Sequence, residues 1–183
     1  MSPTPAWQTD GWTLPEGFAK IDQQWDVVRE LLAEQDLYDL RQETISGWSC
    51  GEHAGHVTLV AHWIATGIQE NLADRERNTE GQWTDRAGPI LEAGGFPRGV
   101  AEAPERVSPA NRSREDFLTV IPAAVSAWEG IRARSAALPY CPARFPHFAL
   151  GYLTSSEWVR FCALHTAHHL AIVRDIRKGA GNA

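Results

Sequence analysis

Two histidines near the C-terminus, four residues apart, are the side chains of this chain best placed to do chemistry. His165 and His169 lie in a segment whose apolar residues recur every three or four positions, the spacing of one buried helix face. Residues four apart in a helix differ by about 40° around the axis and about 6 Å along it, so the two imidazoles can converge on one point. Buried imidazoles need polar partners, which a divalent cation would supply. Alternatively, one ring packs against an aromatic side chain and the other reaches solvent, since this spacing also occurs by chance.

A third candidate ligand, His56, comes from a different predicted helix. A capping box opens that helix at about residue 49, and His56 falls on its inward side. Together with His165 and His169 it would give three nitrogen ligands to one divalent cation and leave a position for water or substrate. This arrangement is typical of catalytic zinc, although the same ligands also accept nickel or iron.

Three neighbouring residues are weaker candidates. His168 is also close enough in a helix to pair with His165, but His169 keeps the spacing of the inward face. His53 could be a fourth ligand, a residue that orients a ligand, a catalytic acid–base group, or simply a polar residue at a helix start. Cys162 could offer a thiolate, but a buried free cysteine more often behaves as a small hydrophobe.

The rest of the chain predicts an all-α fold. Apolar seams and capping residues predict four helices, at about 15–36, 49–73, 113–137 and 154–178. The connection over 74–112 is too long to join antiparallel neighbours and would cross the full height of a bundle. Its apolar residues favour a loop folded over one end of the bundle rather than a disordered insertion. Such a loop could cover the site. We expect one domain over residues 1–183, a four-helix bundle with a long crossover loop.

Composition excludes several kinds of partner. The formal net charge of −6 does not favour binding to the negatively charged phosphates of nucleic acid. No apolar run is long enough to cross a bilayer, and the N-terminus lacks the basic residues of a targeting segment. The three scattered cysteines suit a reducing compartment better than a disulfide framework. These features predict a cytoplasmic protein that acts on a small molecule, without nucleic-acid or membrane partners.

Two short motifs resemble those of the DinB/YfiT-like superfamily. Residues 48–56 (WSCGEHAGH) resemble the Trp-Ser…Glu…His opening of its second helix, and residues 165–170 (HTAHHL) resemble its closing H-x-x-H-H motif. Residues 96–100 (FPRGV) are similar to a loop segment in some members, and the likeness extends from about Phe18 to Lys178.

The resemblance implies an up-down-down-up four-helix bundle, often a homodimer, with metal ligands at His56, His165 and His169. His53 stands where the family usually has an aliphatic residue. Characterised relatives include metal-dependent S-transferases that use bacillithiol, mycothiol or glutathione, and a mycothiol-dependent maleylpyruvate isomerase. The resemblance therefore implies a low-molecular-weight thiol as cosubstrate.

The sequence leaves the type of activity open. A bound cation would lower the pKa of a thiol or water, with His53 as a candidate base. No carboxylate lies on the inward helix faces that carry the histidines, so the sequence does not show the usual general base of a zinc hydrolase. This favours thiol transfer over hydrolysis. The alternatives are a non-catalytic stress-response module that binds a metal or small ligand, and a metal-free structural bundle.

Overall fold

The computed structural model describes residues 13–99 and 102–181, and most of them are helical. The α-helices are α1 (Leu14–Ala33), α2 (Gln35–Asp39), α3 (Cys50–Ala73), α4 (Ala87–Ala93), α5 (Arg114–Ala133) and α6 (Ser155–Gly181). A two-stranded antiparallel sheet lies between α5 and α6 and consists of β1 (Arg144–His147) and β2 (Gly151–Thr154). Short 3-10 helices cover Glu105–Val107 and Ser135–Tyr140.

Three of the four long helices, α3, α5 and α6, begin where the capping residues predicted. Side-chain and backbone groups of Ser49 and Glu52 satisfy each other at the start of α3, and the same reciprocal bonds open α5. At the start of α6 the Thr154 amide donates to the Glu157 carboxylate over 2.7 Å. The predicted starts of these three helices are therefore confirmed to within one residue.

Helix α3 ends at Ala73 as predicted, but the other three predicted ends were less accurate. Helix α1 stops at Ala33 rather than at about residue 36, because Glu34 adopts an extended conformation before the short α2 begins. Helix α5 stops at Ala133 rather than at about residue 137. The chain continues as the 3-10 helix of Ser135–Tyr140. Helix α6 continues through the Gly179 position that was expected to end it.

The hairpin over residues 144–154 was not predicted. Each strand has only four residues, too few for an alternating pattern to stand out. The loop before α4 holds the hairpin, since the Thr84 amide donates to the Leu150 carbonyl over 2.9 Å. Gly151 has a φ of +79° and leaves no room for a side chain against the backbone of this loop.

The long connection between α3 and α5 is folded in its described part and contains α4 and a 3-10 helix. The Trp83 indole donates to Glu157 over 3.2 Å, and the Phe96 ring lies 5.5 Å from the Phe161 ring. The expectation of a loop that packs on the helices is confirmed for these residues, against a disordered insertion.

The hydrophobic core lies between the long helices. Trp25, Trp128 and Trp158 are buried in it, whereas Trp63 is only half-buried and faces a cavity. Among the described helices, none combines the length and the hydropathy that a membrane crossing requires.

Helix α3 approaches its neighbours closely through glycines. A methyl group at Gly55 would lie 2.5 Å from Cε2 of the buried Phe117 on α5. At Gly67 the equivalent carbon would lie 2.6 Å from the Phe145 ring. These aromatic rings therefore occupy the space that a side chain on α3 would need, and they fix the distance of α3 from α5 and β1.

Replacing Gly55 with alanine should therefore destabilise the protein. Overpacking against Phe117 is expected to cost about 1–3 kcal/mol, more than the gain in helix propensity. Gly130→Ala is the matched control, because Gly130 lies in α5 with open space around it, and should stabilise by up to about 1 kcal/mol. Urea denaturation measures both. A Gly55→Ala variant as stable as Gly130→Ala would contradict the close packing of α3 on α5.

Candidate metal centre

The three predicted ligands meet between α3 and α6. The Nε2 atom of His165 lies 3.4 Å from Nε2 of His56 and 3.3 Å from Nε2 of His169. The ligand atoms of all three lie within 4.8 Å of one another, and the group contains no carboxylate. Two of these imidazoles come from successive turns of α6, and the third comes from the facing turn of α3. The cluster could therefore hold a metal ion.

Two of the three nitrogen separations fit a tetrahedral ion. Zinc bound by histidine nitrogens at about 2.0–2.1 Å with tetrahedral angles places neighbouring nitrogens about 3.3–3.4 Å apart. The two short separations at His165 match this value.

His56 is oriented by a backbone carbonyl. Its Nδ1 lies 2.7 Å from the carbonyl oxygen of Val107, which can only accept a hydrogen bond. The proton of neutral His56 therefore sits on Nδ1, and the lone pair on Nε2 points into the cluster. The 3-10 helix of Glu105–Val107 in the long connection thus selects the tautomer that a metal ligand requires.

His169 is oriented by His53. The Nδ1 atoms of the two rings lie 2.9 Å apart, and Nε2 of His53 lies 2.9 Å from the hydroxyl oxygen of Ser46. The Trp48 amide also donates to this hydroxyl over 3.1 Å. When Nε2 of His169 binds a cation, its Nδ1–H donates to His53, whose own Nε2–H donates to Ser46. His53 therefore contacts a candidate ligand and is not itself a member of the cluster.

On the side away from the other ligands, His165 is held by aromatic packing rather than by a hydrogen bond. Its ring stacks on Phe161 at 5.3 Å with an interplanar angle of 17°, and the Phe96 ring meets it at 5.7 Å. Its buried Nδ1 has no hydrogen-bond partner among the residues described. Of the three rings it is the one whose Nδ1 no polar group of the described residues orients.

Trp48 packs on the other two candidate ligands. Its ring centroid lies 5.0 Å from that of His56 and 6.0 Å from that of His169, and it also lies 5.3 Å from His53. The sequence indicated this tryptophan only as part of a family motif, because its contacts form only when α3 and α6 meet.

The surroundings keep the histidines neutral. Burial lowers the pKa of His56 to about 4, although the hydrogen bond to Val107 opposes the shift. Burial first, and then the neighbouring His56, lowers the pKa of His53 to about 3. Burial also holds the pKa values of His165 and His169 well below their usual range. At neutral pH the imidazoles are therefore uncharged and have lone pairs available.

His168 and Cys162 do not join the cluster. The His168 ring lies 5.5 Å from Phe96 and borders the cavity described below. Cys162 faces α1 beside Trp25, and complete burial raises the pKa of its thiol to about 12. A thiol with such a pKa remains protonated at neutral pH, so the reading of Cys162 as a small hydrophobe agrees with the structure.

A cavity of about 1150 Å³ opens beside the cluster. Its walls come from α3, α6, the long connection and the hairpin. The lining includes the following polar and aromatic residues: Trp48, Trp63, Asp85, Arg86, Phe96, Glu102, Arg106, His147, Phe148, Phe161, His165 and His168. The cluster therefore lies where a small molecule could approach its open side.

Sequence reasoning missed His147 and Arg106 in this lining. His147 belongs to the unpredicted hairpin, and Arg106 belongs to a connection in which charged residues are common. Neither residue lies in a periodic seam, so no local pattern marked them.

Comparison with known proteins yields no match, whether to protein-family models, to curated proteins or to solved structures.

The buried histidines should make the metal-free protein sensitive to mild acid. Below the ordinary histidine pKa of 6.5, the unfolded chain takes up protons that folded His53 and His56, with pKa values of about 3 and 4, do not. The free energy of unfolding therefore falls as pH drops from 6.5 toward 4, by up to about 1.4 kcal/mol per pH unit for each such histidine.

Urea denaturation in the presence of a chelator, at intervals from pH 7 to pH 5, measures this slope. His56→Gln should give a shallower slope than the unchanged protein. Equal stability at pH 5 and pH 7 would contradict the buried, neutral state of these rings.

Proposed function

We propose that the chain is a metal-dependent S-transferase of the DinB/YfiT-like superfamily, in which His56, His165 and His169 bind a divalent cation. The observation that carries this proposal is the convergence of three histidines on the edge of a large cavity, with two of their Nε2 separations suited to tetrahedral zinc. The resemblance of residues 48–56 and 165–170 to the family motifs supports the choice of family.

The proposal includes a single domain with the family topology, an up-down-down-up bundle of α1, α3, α5 and α6. Contacts between the long helices support it. The Trp128 indole of α5 donates to the Ala61 carbonyl of α3 over 3.1 Å, and the Gln24 amide of α1 donates to the Ala163 carbonyl of α6 over 2.9 Å. A homodimer in the cytoplasm, acting on a small molecule without nucleic-acid or membrane partners, completes the proposal.

Zinc is the cation that the donor set favours. The cluster offers only neutral nitrogen ligands, which suit zinc, nickel and iron better than magnesium or calcium. The two short nitrogen separations suit four-coordinate geometry, in which three protein ligands leave one position open. Nickel and iron are the alternatives.

When bound, the cation would lower the pKa of a thiol or water in the open position and so supply a nucleophile at neutral pH. The chain contributes the geometry for this chemistry. Val107 and His53 orient two of the ligands, and the cover of Trp48 and Phe96 excludes water from the ring faces. Two ligands oriented in advance reduce the rearrangement that binding of the ion requires.

The position of His53 supports an orienting role over that of a base. Both of its ring nitrogens have hydrogen-bond partners, His169 and Ser46, and the side chain is 3% exposed. The ring borders the cavity, but a base needs a nitrogen free to take a proton, and hydrogen bonds engage both nitrogens of His53.

A zinc-dependent hydrolase is the second candidate function. Asp85 and Glu102 of the long connection line the cavity, and either carboxylate could act as the general base that the histidine seams lack. A non-catalytic metal-binding or ligand-binding stress-response module remains the alternative to both enzymes.

Metal content tests the ligand assignment. Protein purified without chelators should contain about one zinc, nickel or iron ion per chain by elemental analysis. His165→Ala should lose this ion, with a fall in affinity larger than the roughly 10–100-fold caused by removing an orienting partner. The matched control is His168→Ala, which removes an imidazole from the same helix and cavity and should keep the ion. Equal metal content in the two variants would rule out the assignment.

Thiol transfer to a model electrophile tests the activity. We expect the metal-loaded protein to conjugate glutathione, bacillithiol or mycothiol to 1-chloro-2,4-dinitrobenzene, and a chelator or His165→Ala to lower the rate by about 100-fold or more, because the nucleophile depends on the cation. Hydrolysis of an ester or amide without thiol transfer would instead favour the hydrolase. A metal-replete protein with neither activity would favour the binding module.

A further inference from the structure

We propose that the substrate of this centre carries a carboxylate, which His147 and Arg106 bind in the cavity beside the three histidines. This substrate class rests on the proposed function, because the two carboxylate-binding residues line the cavity beside the proposed metal centre. The binding of a carboxylate there can be measured without any metal chemistry.

His147 is a hydrogen-bond donor whose direction the hairpin sets. Its Nδ1 accepts from the backbone amides of Ala149 and Leu150 over 3.1 and 3.2 Å. This nitrogen must therefore present its lone pair, and the proton of the neutral ring sits on Nε2. In the described part of the chain no acceptor pairs with Nε2, and the residue borders the cavity.

The ring of His147 cannot turn easily to hide this donor. It stacks on Phe148 at 4.6 Å and lies 4.8 Å from Phe161. Turning the ring over would also break both bonds from the backbone amides. The donor is therefore oriented before any ligand arrives, which reduces the entropy lost on binding.

Arg106 supplies a positive charge near this donor. Its guanidinium lies 4.5 Å above the ring of Trp63, an arrangement that favours an extended side chain over the cavity wall. Within residues 13–99 and 102–181 it forms no ion pair with a carboxylate. Its charge is close enough to His147 to lower the pKa of that ring further after burial has done so.

Arg106 is exposed at the edge of the cavity that His147 borders, and two donors on one cavity, one of them always charged, match the two oxygens of a carboxylate. A neutral carbonyl would use the hydrogen bonds but not the charge. The cavity lining contains two arginines, Arg86 and Arg106, and two carboxylates, Asp85 and Glu102, so it is not broadly positive. This balance fits a single anionic group held locally rather than a polyanion.

The carboxylate site is one aromatic ring away from the candidate ligands. Phe161 contacts His147 on one side, at 4.8 Å, and stacks on His165 on the other, at 5.3 Å. Arg106 is also next in sequence to Val107, whose carbonyl orients His56. A small molecule could therefore bind the two donors with its carboxylate while its reactive atom lies at the open side of the cluster. The aromatic lining, which includes Trp63, Phe96 and Phe148, suits an apolar body between these two points.

Paired probes of equal shape test the proposal. The full chain is titrated with 3-phenylpropanoate and with the neutral 3-phenylpropanamide, and the two dissociation constants are measured by NMR. We expect the carboxylate to bind about tenfold more tightly than the amide, because a charge-assisted hydrogen bond distinguishes them.

Arg106→Met should abolish this preference, and Arg29→Met is its matched control, because it removes the same charge from the exposed face of α1. His147→Asn should weaken the preference in part. Its side-chain oxygen can still accept from the hairpin amides, so the fold is kept while the outward donor is lost.

Equal binding of the two probes, or a preference that survives Arg106→Met, would overturn the proposal. His165→Ala separates this result from the fate of the metal centre. A preference that requires Arg106 and survives His165→Ala supports the carboxylate site whatever the metal content. A preference lost in His165→Ala and kept in Arg106→Met would show that the carboxylate binds the cation itself, which overturns the site at His147 and Arg106.

Discussion

The site depends on the burial of several imidazole rings against one another without a carboxylate among them. Protonating any of them would place a charge in an apolar setting, so each must stay neutral and find partners for its two nitrogens. Val107 satisfies one nitrogen of His56, and His53 satisfies one nitrogen of His169. The remaining Nε2 atoms face each other, which is why the interior of this protein is suited to a cation.

The helices and the connecting segments contribute different parts of the site. Helices α3 and α6 supply the candidate ligands, and α3 is in turn held against α5 and β1 by close contacts at glycines such as Gly55. The long connection and the hairpin supply the orienting carbonyl of Val107, the cover of Phe96 and the donors of the cavity. Rigid helices therefore position the metal ligands, while irregular segments shape what can approach them.

Local patterns in the sequence were sufficient to find the candidate ligands. His165 and His169 are four residues apart on one face, and His56 lies on the inward side of a helix whose start the capping residues marked. These signals depend only on helix geometry, which is the same in every protein. The structure agrees with these spacings because the helix faces that carry the histidines are also the faces through which α3 and α6 pack together.

The features that sequence reasoning missed are all products of contacts between distant segments. The hairpin is stabilised by the loop before α4, and the orientation of His147 depends on that hairpin. Arg106 gains its position only by packing over Trp63, 43 residues earlier in the chain. The links from His53 to His169 and from Val107 to His56 likewise join residues with no periodic relation. Tertiary contacts, and not local propensity, decide all of these.

Anomalous diffraction from crystals of the zinc-loaded protein tests the central claim most directly. The account predicts one zinc peak per chain, about 2.0–2.1 Å from the Nε2 atoms of His56, His165 and His169, with a fourth position facing the cavity. A zinc peak bound instead by His53 or His168, or found only on the protein surface, would contradict it.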